Sequence, residues 1–418
     1  MHHVSTHLDI DATKSFYLKL QRHLDNFNGR AHHPRIPTRP THIKSIQINL
    51  DLHKALDLTT VYALLDHLQH VRCLELHATL STDQLDLLER VCQDIHVRLP
   101  NVMQLALHSE WIIGDDWPSE ELDAMVYKHM IGDRRLTSLD LWHAEPLDGA
   151  IILDAQAPTL VELDISFPVL VNLTSGFRVA SFPRLKRLLL HSIATPTVVP
   201  DLVVGGHMLD FGKSFPSLEY LYMATVFLGQ FGGEEPGRIL YMTSTCPHLK
   251  HLRLDMSPSL TARSSIPSIA FNSLETLVLS GPLFKEEHLL LLAAVQWPSL
   301  MSIRYGSDGI YPDVISCLLV QAPRLKWLTA RIHSNQEFFP GLLEMFGERE
   351  WPNLLGVCVY NQNAHMKGSF PDYVQVMKKA CPNATIHLKF KRGIESRLFY
   401  GVHLPPQCGW GCYKCATN

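Results

Sequence analysis

The chain carries 24 histidines and nine cysteines, the side chains best suited to hold a metal or act as bases and nucleophiles. Spacing decides whether they do. A helical hydrolytic zinc site needs His-Glu-x-x-His, which puts two imidazoles on one helix face beside a carboxylate base, and the chain has no such run. The histidines are dispersed and read as solvated side chains. Cys408, Cys412 and Cys415 crowd into the C-terminus behind His403. Four such groups suit tetrahedral zinc in principle, but the usual two-pair spacing is lacking, and a terminal segment with exposed thiols is the reading adopted. The last four residues, CATN, have the outline of a prenylation signal, with Asn418 a poor final residue and Thr417 not aliphatic. There is no Gly-x-Ser-x-Gly elbow, no phosphate-cradling glycine loop and no distinctive carboxylate pair. No catalytic, cofactor-binding or metal-ligating residue is assigned, no cofactor is expected, and the chain is read as a non-enzyme.

The elements that would position any site follow from composition and repetition. At 418 residues and 46% hydrophobic, the chain has ample material for a large core. Its formal net charge of -4 gives no electrostatic footprint for nucleic acid or an anionic membrane, so neither is expected as a partner. The start, MHHVSTHLDIDATK, has no apolar signal region. The longest apolar run, Leu289 to Val295, is far short of the ~20 residues of a membrane helix. Reduced cysteines and a cytoplasmic or nuclear location are therefore expected.

One element recurs along most of the chain: x-Pro-x-Leu-x-x-Leu-x-Leu. It reads FPRLKRLLL from Phe182, FPSLEYLYM from Phe215, CPHLKHLRL from Cys246 and FNSLETLVL from Phe271. It continues as WPSLMSIRY from Trp297, APRLKWLTA from Ala322 and WPNLLGVCV from Trp351. Aligned on its first Leu, about thirteen copies begin near Ile43, Val71, Val102, Leu136, Leu160, Leu185, Leu218, Leu249, Leu274, Leu300, Leu325, Leu354 and Ala384. The Leu-x-Leu core has period two, the mark of a short strand with one buried face.

Between strands the pattern turns helical. Leu85, Leu88, Cys92 and Ile95 share a helix face, with Ser81 and Gln84 as a capping box. A helix opening at Pro118 is closed by Gly132, and Leu289–Val295 and Val314–Val320 are two more. Proline before each strand ends the incoming helix without costing a ladder bond. The expected fold is an α/β solenoid, a horseshoe with a parallel sheet on the concave side and helices on the convex side. Residues 1–40 are expected to form a capping helix (Phe16, Leu20, Leu24 and Phe27 on one face) and a Pro-rich linker. Residues 41–395 form the solenoid and 396–418 a Cys-containing tail. Within the linker, Pro34-x-x-Pro37-x-Arg39 matches an SH3-ligand pattern in letter, and a stiff spacer is favoured.

On these repeats the chain resembles leucine-rich-repeat proteins of the ribonuclease-inhibitor-like superfamily over roughly residues 41 to 390. The Cys-Pro-x-Leu form at Cys246–Leu249, with Cys381-Pro382 later, resembles the irregular repeats of fungal F-box/leucine-rich-repeat proteins. The resemblance implies a solenoid that binds a substrate while an F-box docks on the Skp adaptor of a cullin–RING ubiquitin ligase. The chain departs from the pattern twice. Thr79, Glu110, Ala144 and Ser257 stand where an Asn ladder usually follows Leu-x-Leu, and no Leu-Pro-x-Glu opening of an F-box is found. The rivals are a binding or inhibitory scaffold without a ubiquitin link and a regulator like the Ran-GTPase activators, which share the fold.

Alternation places positions 3, 5 and 7 of each repeat on the concave face. In the first half this gives Glu75, His77, His108, Asp140, Trp142, Glu162 and Asp164, with Arg187 and His191 at the crossover. In the second half it gives Tyr220, Tyr222, His251, Arg253, Asp255, Arg304, Trp327, Arg331 and Tyr360. Neighbouring acids and histidines here read as solvated side chains. Trp142, Arg187, Tyr220, Tyr222, Arg253, Arg304, Trp327, Arg331 and Tyr360 are the candidate protein-binding residues, because aromatics and Arg dominate interface hot spots. The expected partner is a protein or peptide with an acidic stretch that meets Arg253, Arg304 and Arg331.

Overall fold

A computed structural model describes residues 7–11, 44–51, 58–80, 85–111, 127–142, 155–166, 181–191, 211–223, 243–255, 270–280, 295–305, 318–332, 350–361 and 370–390. The described residues up to Leu249 fall in one compact unit and those from Lys250 onward in a second.

The first unit contains strands β1 (His7–Asp11), β2 (Ser45–Asp51), β3 (Cys73–Leu80), β4 (Gln104–Trp111), β5 (Ser138–Trp142), β6 (Glu162–Ser166), β7 (Arg187–His191) and β8 (Tyr220–Met223). The second contains β9 (His251–Asp255), β10 (Thr276–Ser280), β11 (Ser302–Tyr305), β12 (Trp327–Ile332), β13 (Gly356–Asn361) and β14 (Thr385–Phe390). Within each unit every strand pairs in parallel with its neighbours in sequence. Helices α1 (Leu58–Asp66), α2 (Leu85–Arg98), α3 (Phe211–Ser214) and α4 (Phe370–Ala380) lie between strands. This is an α/β solenoid of the leucine-rich-repeat kind. Strands β2 to β14 coincide with the repeats read from the sequence, and β1 adds a strand ahead of the first copy.

The motif leucines are the core. Ile46 and Ile48 in β2, Leu74 and Leu76 in β3, and Leu163 and Ile165 in β6 are buried, and Leu252, Leu277, Ile303, Leu328 and Val357 continue the pattern in the second unit. The residue that opens the motif is buried in Phe182, Phe215, Cys246, Phe271, Trp297 and Ala322 and half-buried in Trp351. The rings of Phe271 and Trp297 stack 4.9 Å apart. The first Leu of the motif donates its N–H back to that residue's carbonyl, as in Leu185 to Phe182, Leu218 to Phe215 and Leu354 to Trp351. The proline is thus the second residue of a hydrogen-bonded β-turn, for which its fixed φ is suited.

Two ladders hold repeat to repeat. In the first, one carbonyl per repeat accepts the two N–H groups that open the next strand. Arg72 accepts from Met103 and Gln104, and Lys326 accepts from Leu355 and Gly356. In the second, the side chain just after the proline donates to the carbonyl of the proline position one repeat earlier. Asn101 reaches Gln69, Ser217 reaches Pro183, Ser299 reaches Asn272, Asn353 reaches Pro323 and Asn383 reaches Pro352, at 2.6 to 3.1 Å. The polar ladder that the sequence lacks after Leu-x-Leu is found here, at the turn.

The α2 helix follows the predicted face, with Leu88, Val91, Cys92 and Ile95 buried. The proposed cap at Ser81 and Gln84 lies outside the described residues. Arg134, 9% exposed, closes the C-terminal end of α2. Its guanidinium donates to the carbonyls of Leu99 at 2.7 Å and His96 at 2.9 Å, and to Nδ1 of His96 at 3.1 Å. These acceptors include carbonyls that a helix end leaves without internal partners. Ahead of Arg134, Tyr127–Ile131 is a π-helical turn, and Gly132 follows it with φ 44°, in the left-handed region where glycine costs least. Gly132 therefore closes a helical segment as the sequence suggests. The helical segment over Phe16–Phe27, the Pro118 opening, the run from Leu289 to Ala294, the Pro34–Arg39 pattern and the cysteines at 408, 412 and 415 lie outside the described residues. Among the described residues no helix is long and apolar enough to cross a membrane.

Candidate functional sites on the exposed sheet face

Strand alternation leaves one face of each sheet free of the leucine core, and parallel pairing aligns its residues in rows. In the first unit one row runs Ser138, Glu162, Arg187, Tyr220. The next runs Glu75, Ala106, Asp140, Asp164, Leu189, Tyr222. A third runs Asn49, His77, His108, Trp142. Residues some thirty positions apart in the chain thus become lateral neighbours about 4.8 Å apart.

The acids and histidines of these rows are in contact. His77 Nε2 lies 2.6 Å from Glu75 Oε1, and the His77 and His108 rings stack with centroids 4.6 Å apart. His108 Nε2 lies 3.8 Å from Asp140 Oδ2, and His191 Nε2 lies 2.9 Å from Asp164 Oδ1. Burial pushes the Asp140 carboxyl up to about 7, and the neighbouring Asp164 charge adds to it. His108 is held below the usual imidazole range, first by burial and then by His77 beside it. These side chains read as solvated in the sequence; the register joins them into one polar cluster.

Arg187 and Tyr220 also have intramolecular partners. The Arg187 guanidinium lies 5.0 Å from the Tyr220 ring centroid and 3.5 Å from Glu162 Oε1. Tyr222 takes its predicted face but is only 8% exposed, with its ring edge-on to His191 at 5.2 Å. Leu189, its cross-strand partner, is buried as well. Long side chains on this face cover one another, so alternation alone does not make a residue accessible. Trp142 takes its strand position opposite His108, and its side chain is outside the described set.

In the second unit Arg253 and Arg304 stand in one row on either side of Val278, both half-buried. A second row aligns Ser302, Trp327 and Gly356, and a third aligns Arg331, Tyr360 and Lys389. The side chains of Arg331 and Tyr360 are outside the described set. Trp327 is 41% exposed. Its six-membered ring lies over Gly356, where a Cβ would come within 2.3 Å of two ring carbons. Absence of a side chain at Gly356 is what lets the indole lie flat on the sheet. The sequence pattern had singled out Trp327 but not Gly356. A glycine beside an aromatic in the next repeat is the signal for such close approach.

Among the described residues Cys73, Cys92, Cys246, Cys358 and Cys381 are not in disulfides. Burial pushes Cys92 and Cys381 up to about 12, which makes them poor nucleophiles. No family model matches this chain, and no curated protein matches it.

Proposed function

We propose that the chain is a non-enzymatic recognition scaffold that takes a protein or peptide segment on the exposed face of its parallel sheet. One observation carries the reading: Trp327, a large aromatic 41% exposed, is laid flat by Gly356 beside rows that bear Arg253, Arg304 and Arg331. An exposed aromatic with arginines on the same sheet face is the composition of an interface hot spot. Arg253 and Arg304 lie two strands apart, about 10 Å, which an extended peptide spans in roughly three residues. The preferred ligand therefore has Asp or Glu at a spacing of three and an apolar side chain for the indole.

Selection of a random peptide library on the purified chain tests this. Acidic peptides are expected to be enriched, with binding that weakens as salt rises. Replacing Arg253, Arg304 and Arg331 together by Ala is expected to weaken that binding at least about 10-fold with an unchanged melting temperature. Equal affinity for the variant sinks the proposal.

The resemblance to F-box/leucine-rich-repeat proteins supports a finer version, in which the sheet receives the substrate of a cullin–RING ubiquitin ligase and an F-box supplies the link to the Skp adaptor. The alternative is a binding or inhibitory scaffold without that link. Co-purification with a Skp adaptor and cullin separates the two.

A further inference from the structure

We propose that Glu75, His77 and His108, with Asp140 as a fourth donor, form a binding site for a divalent transition-metal ion of the zinc type on the sheet face of the first unit. The proposal concerns a different unit from the peptide surface and stands or falls independently of it.

The geometry starts from the register. Glu75 and His77 alternate along β3 and so project from the same face, and His108 on β4 is the direct cross-strand partner of His77. The partner of Glu75 on β4 is Ala106, and beyond Ala106 comes Asp140 on β5. The small side chain of Ala106 therefore separates the two carboxylates in that row, next to the row that carries the two imidazoles. One donor atom from each of Glu75, His77 and His108 lies within 4.8 Å of the others. Asp140 Oδ2 lies 3.8 Å from His108 Nε2. Donors around tetrahedral zinc, bound at ~2.0 to 2.1 Å, sit roughly 3.4 Å from one another. Rotations of side chains suffice to reach that spacing, because the strands already supply the positions.

The chemistry narrows the ion. Two imidazoles with one or two carboxylates suit zinc and its neighbours, whereas calcium and magnesium require more oxygen ligands. The side chains are 38% exposed at His77, 34% at Glu75, 21% at His108 and 33% at Asp140. An ion has access, while the strands hold the ligands' backbone. The competing account of the same contacts is a plain Glu75–His77 hydrogen bond with no ion.

Zn2+ titrated calorimetrically into the purified full chain, after removal of adventitious metal, distinguishes the two. One equivalent of Zn2+ is expected that Mg2+ and Ca2+ do not displace. Co2+ in its place should give the strong visible absorption of a four-coordinate centre. His108→Ala and Glu75→Gln are each expected to weaken that equivalent at least about 10-fold. Glu75→Gln preserves the size of the side chain and its capacity to accept from His77, so an unchanged melt separates loss of the ligand from loss of the fold. His251→Ala, in the other unit, should leave the equivalent intact. Zn2+ affinity that is equal in the wild type, His108→Ala and Glu75→Gln overturns the proposal, and so does a wild-type chain that takes up no equivalent.

Discussion

The indole of Trp327 rests on the backbone of Gly356, its partner across β12 and β13, at a distance that no side chain at 356 would permit. Gly356→Ala should therefore tilt the ring off the sheet. The expected result is a change in indole fluorescence and a destabilisation of about 1 to 3 kcal/mol, the range for overpacking. In a Trp327→Ala background the same substitution should cost much less, since the clash has been removed. A penalty at 356 that is the same in both backgrounds would refute the contact.

The Arg134–His96 pair predicts a pH dependence. Burial first, and the Arg134 charge second, hold the His96 imidazole below its ordinary value. Its Nδ1 accepts from Arg134, and a backbone contact at Met130 opposes the shift, as does Asp133; His129 reinforces it. The unfolded chain takes up the proton at higher pH than the folded one. The contribution to stability is therefore present above about pH 6.5 and is lost as pH falls through the lower folded value. Urea melts between pH 7.5 and 5 should show a smaller fall in stability for His96→Gln than for the wild type. An identical fall in both would mean that this imidazole is not the titrating group.

The turn ladder predicts small, evenly distributed losses. Asn353→Ala and Asn383→Ala each remove one hydrogen bond to the preceding repeat, to Pro323 and Pro352. Each should cost about 0.5 to 1.5 kcal/mol by chemical denaturation. Substitution of the exposed Arg324, at the same position of its repeat, should fall within about 0.5 kcal/mol of neutral. Losses at Asn353 and Asn383 no larger than at Arg324 would remove the ladder from the account of stability.

Thiol labelling should follow burial. Cys92 and Cys381, with thiols pushed up to about 12, are expected to resist alkylation of the native chain at neutral pH. Cys73 and Cys358, half-buried on the strands, should label before Cys92 and Cys381. Peptide mapping after a short pulse of iodoacetamide checks the order, and early labelling of Cys92 would contradict the packing of α2.

The fold was legible because its cause is local. Period-two leucines specify a buried strand face wherever they occur, so β2 to β14 could be located from letters alone, as could the buried face of α2. The Pro-x-Leu step also marked the start of most strands, though the role of proline as a turn residue emerged only from the bond between Leu185 and Phe182. The site was less legible because it depends on side-chain contacts. The repeat alignment puts His77 and His108 at one position and Glu75 and Asp140 at another, as the strands pair them, but the bond of His77 to Glu75 and the stacking of the two imidazoles depend on side-chain orientation, which letters do not carry. Tyr222 shows the same limit in another form. Its face was predictable, while its cover depends on Leu189 and His191 one strand away.

Pairing strictly between sequence neighbours has a mechanical consequence. Each strand is held by the one before it through a carbonyl that binds two N–H groups, and among the described residues the backbone bonds of the second unit join only adjacent repeats. Tension applied at Phe390 would load β14 alone, then β13, then β12, so the second unit should yield like a zip rather than shear as a block. Each step would release one repeat, roughly 90 to 100 Å of extended chain, and the unbroken repeats behind it would remain folded.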